Sequence, residues 1–452
     1  MQTQRGLSSV SCNLGYKINS RNPPAILAIM VPQQVKKYLE KRAITGPWKI
    51  SGIDRGDFKG AVVIPALAES DHLFATLQSL AQNPREILAG FLILVVVNNR
   101  QDALLSDKSD NEDTLQRLAA GESSLRSLHL AWVNAASKGL ELPVKAGGVG
   151  LARKIGFDLS LPRLRYGASA PLLISLDADT LVRPDYLTAL IRHFQVTKVS
   201  GAVIPFSHRP GSSPDQDQAI RRYELFLRVY VLGLSQAGSP YAFHTVGSAM
   251  ACLAESYCRM GGMNLRAAGE DFYFLQHLAK TGGIAQVKGT VVYPSARASH
   301  RVPFGTGRSM SRLLGKEEGA VLFYQKDCYQ ILGEWLALIA QNLQSGGEEI
   351  RARAGKISPC LGEYLDSIGF ASVWDKLRKN FPDQSKRMAG FHGWFDGLKT
   401  MKLVHHLSAG PLPRSEPENV VSGVLEWAGL EPLQGIDRQL TLLREIQIGE
   451  VY

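Results

Sequence analysis

The chain has 452 residues, is 45% hydrophobic and carries a formal net charge of +10, so it can bury a large core as two domains or as one large domain with an appendage. No zinc-finger spacing, helix-turn-helix signature or basic-aromatic interleaving marks that charge for nucleic acid, and no phosphate-binding Gly-x-x-x-x-Gly-Lys loop, dinucleotide fingerprint or His-Glu-x-x-His is present. The longest apolar runs (25–31, 91–97 and 321–340) are too short or too interrupted to span a bilayer, no secretory leader is expected, and five cysteines without a Cys-x-x-Cys pair suit reduced thiols in a cytoplasm.

In chain order, residues 1–56 read as an N-terminal extension with a basic helical run at 35–42. From residue 60 the pattern becomes strand and helix in alternation. Strands are expected at 61–65, 91–97, 128–133, 172–176 and 202–205, with helices at 71–82, 149–159 and 184–194. That alternation predicts an α/β fold with a mostly parallel central sheet flanked by helices. Ligands in such sheets sit beyond the carboxyl ends of the strands, so Pro65 to Glu69, Asn98-Asn99 and Asp177 to Asp179 should converge on one crevice. Residues 218–234 place Ile220, Tyr223, Leu227, Tyr230, Val231 and Leu234 at helical spacing, and a helix is expected at 272–280. After about residue 315 the chain turns helical (322–341, 370–379, 423–427), giving domains at 57–314 and 315–452.

Two acidic motifs carry chemistry. Asp177-Ala178-Asp179 directly follows an apolar strand, and period-two geometry would point both carboxylates the same way, a place to hold Mg²⁺ or Mn²⁺ against a diphosphate; a solvated acidic turn is the alternative. Glu270-Asp271 opens a helix, where exposed amides favour an ionised carboxylate that can accept a proton from an alcohol; a capping acid is the alternative. Between Arg297 and Lys316, Arg297, Arg301, Arg308, Arg312 and Lys316 lie beside His300 with no acidic residue before Glu317, a candidate dock for an anionic substrate or lipid head group; a solvated basic surface segment is the alternative.

With Val62-Val63-Ile64-Pro65 and Glu69 upstream, Leu173 to Asp179 in the middle, and His244-Thr245-Val246-Gly247-Ser248, Gly261-Gly262 and Glu270-Asp271 downstream, residues 60–310 resemble the family 2 glycosyltransferases of the GT-A fold. The resemblance implies transfer of a sugar from a nucleoside-diphosphate sugar to an acceptor hydroxyl on a glycan, a lipid-linked carrier or a small molecule. It implies that Pro65, Ala66 and Glu69 meet the nucleoside, that Asp179 binds the metal and Asp177 the metal or ribose, and that Asp271, beside Glu270, is the base of an inverting displacement. Gly247, Ser248 and Arg153 would contact the donor, Arg301 or Arg308 its phosphates, and His300 the metal or pyrophosphate. The chain departs from the pattern at Asn98-Asn99, where an acidic residue is usual, and in its extra glycines at Gly147-Gly148-Val149-Gly150. Amides can still contact a nucleotide. A retaining enzyme and a non-catalytic sugar- or nucleotide-binding protein on the same fold stay open. An aspartate-nucleophile phosphatase fits less well, because Leu181 departs from its motif and Glu270-Asp271 would lack a role. The expected setting is cytoplasmic, with contact at the inner face of a membrane an open alternative.

Overall fold

Gly60–Ala66 and Phe91–Asn98 contain no charged side chain, and a strand apolar on both faces must be covered on both faces. In the computed structural model, which describes residues 31–266, 269–298, 305–317 and 319–449, these two segments sit inside an eight-stranded sheet. Its strands are β1 (Ile50–Ser51), β2 (Gly60–Ala66), β3 (Phe91–Asn98), β4 (His129–Ala135), β5 (Leu172–Ser175), β7 (Gly201–Val203), β8 (Met250–Leu253) and β9 (Ile284–Gln286), in the order β1-β4-β3-β2-β5-β8-β7-β9. A short pair, β6 (Leu181–Val182) with β10 (Val292–Tyr293), stands apart.

The pairs β2–β3, β3–β4, β2–β5 and β7–β9 are parallel; β1–β4, β5–β8 and β7–β8 are antiparallel. The mostly parallel sheet flanked by helices, with a helical region after it, is the fold the sequence predicts. Alternation along β2 and β3 sends Val62, Ile64, Ile93 and Val95 into one apolar core and Ala61, Val63, Leu92 and Leu94 into the other.

Register decides what meets at the working edge. Ala66 pairs with Val97 and Val63 with Ser175, so β2, β3 and β5 all end on the same side. Because β8 runs the other way, with Met250 opposite Ser175, it begins on that side and delivers Gly247 and Ser248 beside Asp177. The helix Val149–Ser160 lies across β2 and β3 with Gly156 against the Val63 side chain, and carries Arg153 to the same edge.

The described part of the N-terminal segment is tied into this unit. From the helix Gln33–Lys41, the Tyr38 hydroxyl donates to Asp158 Oδ1 at 2.8 Å and accepts from Lys154 Nζ at 2.7 Å, while β1 pairs with β4. Cys252, Cys258 and Cys328 are buried free thiols and Cys360 is half-buried. No helix among the described residues is long and apolar enough to cross a membrane.

From Lys326 to Ile448 the described chain is helical, around Trp335, Phe370, Trp374, Phe391 and Phe395. That core runs on into Leu225, Val229 and Leu232 of the long helix Pro214–Gln236, so one helix serves both regions. The junction is polar at one point. Fully buried Glu224 accepts from Arg228 Nε at 2.9 Å, from His208 N at 2.8 Å, and from Arg444 of the last helix (Ile436–Ile448) at 2.7 and 2.9 Å. Burial pushes the Glu224 carboxyl up, but bonds from Arg444, His208 and Arg228 outweigh it and hold it well below the usual range. Arg444→Ala is expected to lower stability by about 1.5–3 kcal/mol, the worth of charged hydrogen bonds, seen as a lower urea midpoint.

Candidate active site

Arg153 organises the edge. Its side chain is 2% exposed, and a buried guanidinium needs its charge and its N–H groups answered. Nε donates to Ser175 Oγ at 2.8 Å, Nη1 to Glu270 and Nη2 to Asp177. One side chain thus ties the end of β5, the first acidic motif and the second acidic motif together. Burial alone would lower the Arg153 pKa; Asp177, then Glu270 and Asp271, outweigh it and hold it charged. Gly247 makes this packing possible, since a Cβ there would lie 2.5 Å from Arg153 Nη2 and 3.0 Å from its Cζ.

The strand ends at Ser175, so the two aspartates lie on a turn closed by Thr180 N donating to Asp177 O at 3.1 Å. They do not share a partner. Asp177 faces Arg153, while Asp179 Oδ2 accepts from Arg297 Nε at 2.9 Å. Arg297 Nη2 also donates to Glu69, and Arg209 Nη2 donates to the main-chain oxygen of Asp179 at 2.8 Å.

The second motif divides its labour. Glu270 is buried on Arg153, and burial pushes its carboxyl up to about 7, with Arg153 pulling the other way. Asp271 is half-buried, and its Oδ1 accepts from the Phe272 amide at 2.7 Å in the first turn of the helix Glu270–Gly282. Burial raises its pKa above the ordinary aspartate value, Arg153 again opposing. Asp271 is thus the more accessible carboxylate, and Tyr223 of the long helix is close enough for its charge to be felt.

Other residues singled out in the sequence take different places. Pro65 and Ala66 end β2 and are buried. Asn98 donates to Ala66 O at 3.1 Å and Val96 O at 2.9 Å; Asn99 donates to Arg100 O at 3.1 Å and Ala136 O at 3.3 Å and accepts from Asn111 at 2.8 Å. These amides are 3% and 1% exposed and brace the loop backbone, since Asn111 also accepts from Ala68 N at 2.9 Å. Ser248 is buried beside Gly247, and Arg308 is exposed on the helix Thr306–Leu314. His300 and Arg301 lie outside the described residues. Arg209 had no signal in the sequence, and Arg297 none beyond its basic neighbours.

No family model matches the chain, and no curated protein does. Among solved structures, the chain is similar to S. aureus TarS 1-349 in complex with UDP-GlcNAc (15% identity, 72% of this chain and 92% of that chain, TM-score 0.37). It is also similar to the mannosyltransferase PcManGT from Pyrobaculum calidifontis in complex with GDP-Man and Mn²⁺ (14%, 80% and 93%, 0.35), and to GalNAc-T7 with UDP, GalNAc and Mn²⁺ (15%, 62% and 51%, 0.31). TM-scores this low carry no argument about function, which rests on this chain's own residues.

Among the described residues no three His, Cys, Asp or Glu side chains converge as a metal cage. The chemistry of the edge nevertheless fits a hard divalent cation, which needs only one or two carboxylates when a diphosphate supplies other oxygens. Among the described residues, five carboxylates (Glu69, Asp177, Asp179, Glu270 and Asp271) stand with the three guanidiniums of Arg153, Arg209 and Arg297.

Proposed function

We propose that the chain is a family 2 glycosyltransferase that moves a sugar from a nucleoside-diphosphate sugar to an acceptor hydroxyl with inversion, with residues 57–314 as the catalytic unit. The supporting observation is Arg153, which holds Asp177 of the donor motif and Glu270 of the base motif on one guanidinium. Two motifs about ninety residues apart in sequence, each weak alone, form one cluster beyond the strand ends.

In this reading Asp177 and Asp179 hold Mg²⁺ or Mn²⁺, which supplies counter-charge to the departing nucleoside diphosphate. The loop from Pro65 to Glu69 lies along the nucleoside, and Asn98 and Asn99 fix that loop from beneath. Gly247 and Ser248 line the donor side. Asp271 takes the proton of the acceptor hydroxyl as its oxygen attacks the anomeric carbon, and Glu270 anchors the helix that positions Asp271.

A thermal-shift screen of nucleoside diphosphates and sugar nucleotides, with and without Mn²⁺, tests the reading. Ligand at a hundredfold excess over Kd should stabilise the protein by about 2.7 kcal/mol, for one base and more strongly with metal. Silence across the whole panel would sink it.

A further inference from the structure

Arg297, which the sequence marks only as one of a run of basic residues, is the cation that joins the two donor-side loops. Its Nε–Nη2 side spans two carboxylates from different loops, Asp179 after β5 and Glu69 after β2. A bridge of this kind draws the two loops together. Nη1 makes no hydrogen bond to any described residue, so the guanidinium keeps an unspent edge with the fork geometry that matches a phosphate. Its side chain is 24% exposed and that of Asp179 20%, so ligands can reach the pair. Arg209 approaches from the other side with Nη2 on the Asp179 carbonyl, and its Nε is buried without an acceptor among the described residues. Burial, and after it Arg297, lowers the pKa of neighbouring His72.

We propose that Arg297 is a donor-phosphate ligand that occupies the metal's carboxylate in the free protein: it holds Asp179 and Glu69 until a divalent cation takes Asp179, and then turns its guanidinium onto the diphosphate. The proposal rests on the glycosyltransferase reading for the diphosphate half alone; competition with the cation needs only the geometry. A cation and a guanidinium compete for the Asp179 carboxylate, so removing Arg297 must strengthen one binding event and weaken the other. A residue that merely braces the loop would not separate them.

The test uses the full chain with Mn²⁺ alone, followed by electron paramagnetic resonance, and with inorganic pyrophosphate, UDP and GDP in the presence of Mn²⁺, followed by calorimetry. Arg297→Gln is expected to bind Mn²⁺ alone roughly tenfold tighter than the unaltered chain and the Mn²⁺–diphosphate probes roughly tenfold more weakly, a coupling of ordinary size. Arg297→Lys should restore part of the diphosphate affinity, and serves as the readout if the glutamine variant fails to fold. Unchanged Mn²⁺ affinity in both variants, or no Mn²⁺ binding to any of the three proteins, overturns the proposal. So does undiminished diphosphate affinity in the variants. If the unaltered chain binds Mn²⁺ but no nucleoside diphosphate, the glycosyltransferase reading fails and the diphosphate half of the proposal with it, while tighter Mn²⁺ binding by Arg297→Gln still upholds the competition.

Discussion

Arg153→Met is expected to destabilise the protein by about 3–5 kcal/mol, because it strips the counter-ion from buried Glu270 and from Asp177 while leaving a side chain of similar length. In a chain of this size that corresponds to a fall in Tm on the order of 3–5 °C. The loss should depend on pH. Glu270 is raised to about 7 in the folded protein, so the fold favours its protonated form; that contribution is present below the unfolded glutamate value and is lost as pH rises through about 7. Arg153 is the group that opposes this rise, so without it the carboxylates must either take up protons or remain charged and unpaired. The penalty is therefore larger at pH 8 than at pH 5.5. The double variant Arg153→Met/Glu270→Gln should recover part of it, and thermal melts of the three proteins at the two pH values check both statements. Equal losses at both pH values would show that packing, and not charge, dominates at Arg153.

The sheet was legible in the sequence because its strands bury both faces: Gly60–Ala66 and Phe91–Asn98 admit no charge, and no other arrangement covers them. The helix Val149–Ser160 was legible through its small residues and its position between strands. Met250–Leu253 was not, since four residues paired antiparallel carry no periodic signal of their own, and it is this strand that swings Gly247 to Arg153. Polar helices such as Leu105–Ala120, with only Asn111, Thr114 and Leu118 buried, escape a search for apolar spacing. At the site, the acidic motifs could be found because each directly follows a strand or opens a helix. Their cations could be named only in part: Arg153 as a donor contact and Arg297 within a basic run, neither with its acidic partner, and Arg209 not at all. Arg153, Arg209 and Arg297 come from three segments, and a pairing across 118 positions, such as Arg297 with Asp179, leaves nothing local to read. Asn98 and Asn99 had the right chemistry for a ligand, and only the structure shows that their amides are spent on backbone carbonyls.

Asp271→Asn should keep donor binding and lose about 10²–10⁴ in kcat, the range for a positioned general base. The choice between the two adjacent acids follows from what each touches. Glu270 is 4% exposed and committed to Arg153, so its replacement would disturb the cluster and the fold with it. Asp271 is half-buried, with one oxygen on the Phe272 amide, so asparagine can accept that same bond through its amide oxygen. The variant is nearly isosteric, and the protein should melt within a few degrees of the unaltered chain while transfer collapses. The pH profile supplies an independent readout. A base must be ionised to act, and burial raises the Asp271 pKa, so kcat/KM should fall as pH drops, with its midpoint above the ordinary aspartate value of about 3.9. In Asp271→Asn that acidic limb should vanish, leaving a low rate that no longer changes across it. A variant that retains full activity, or that keeps the same limb at reduced rate, would move the base to another residue of the cluster and leave Asp271 with the role of capping its helix.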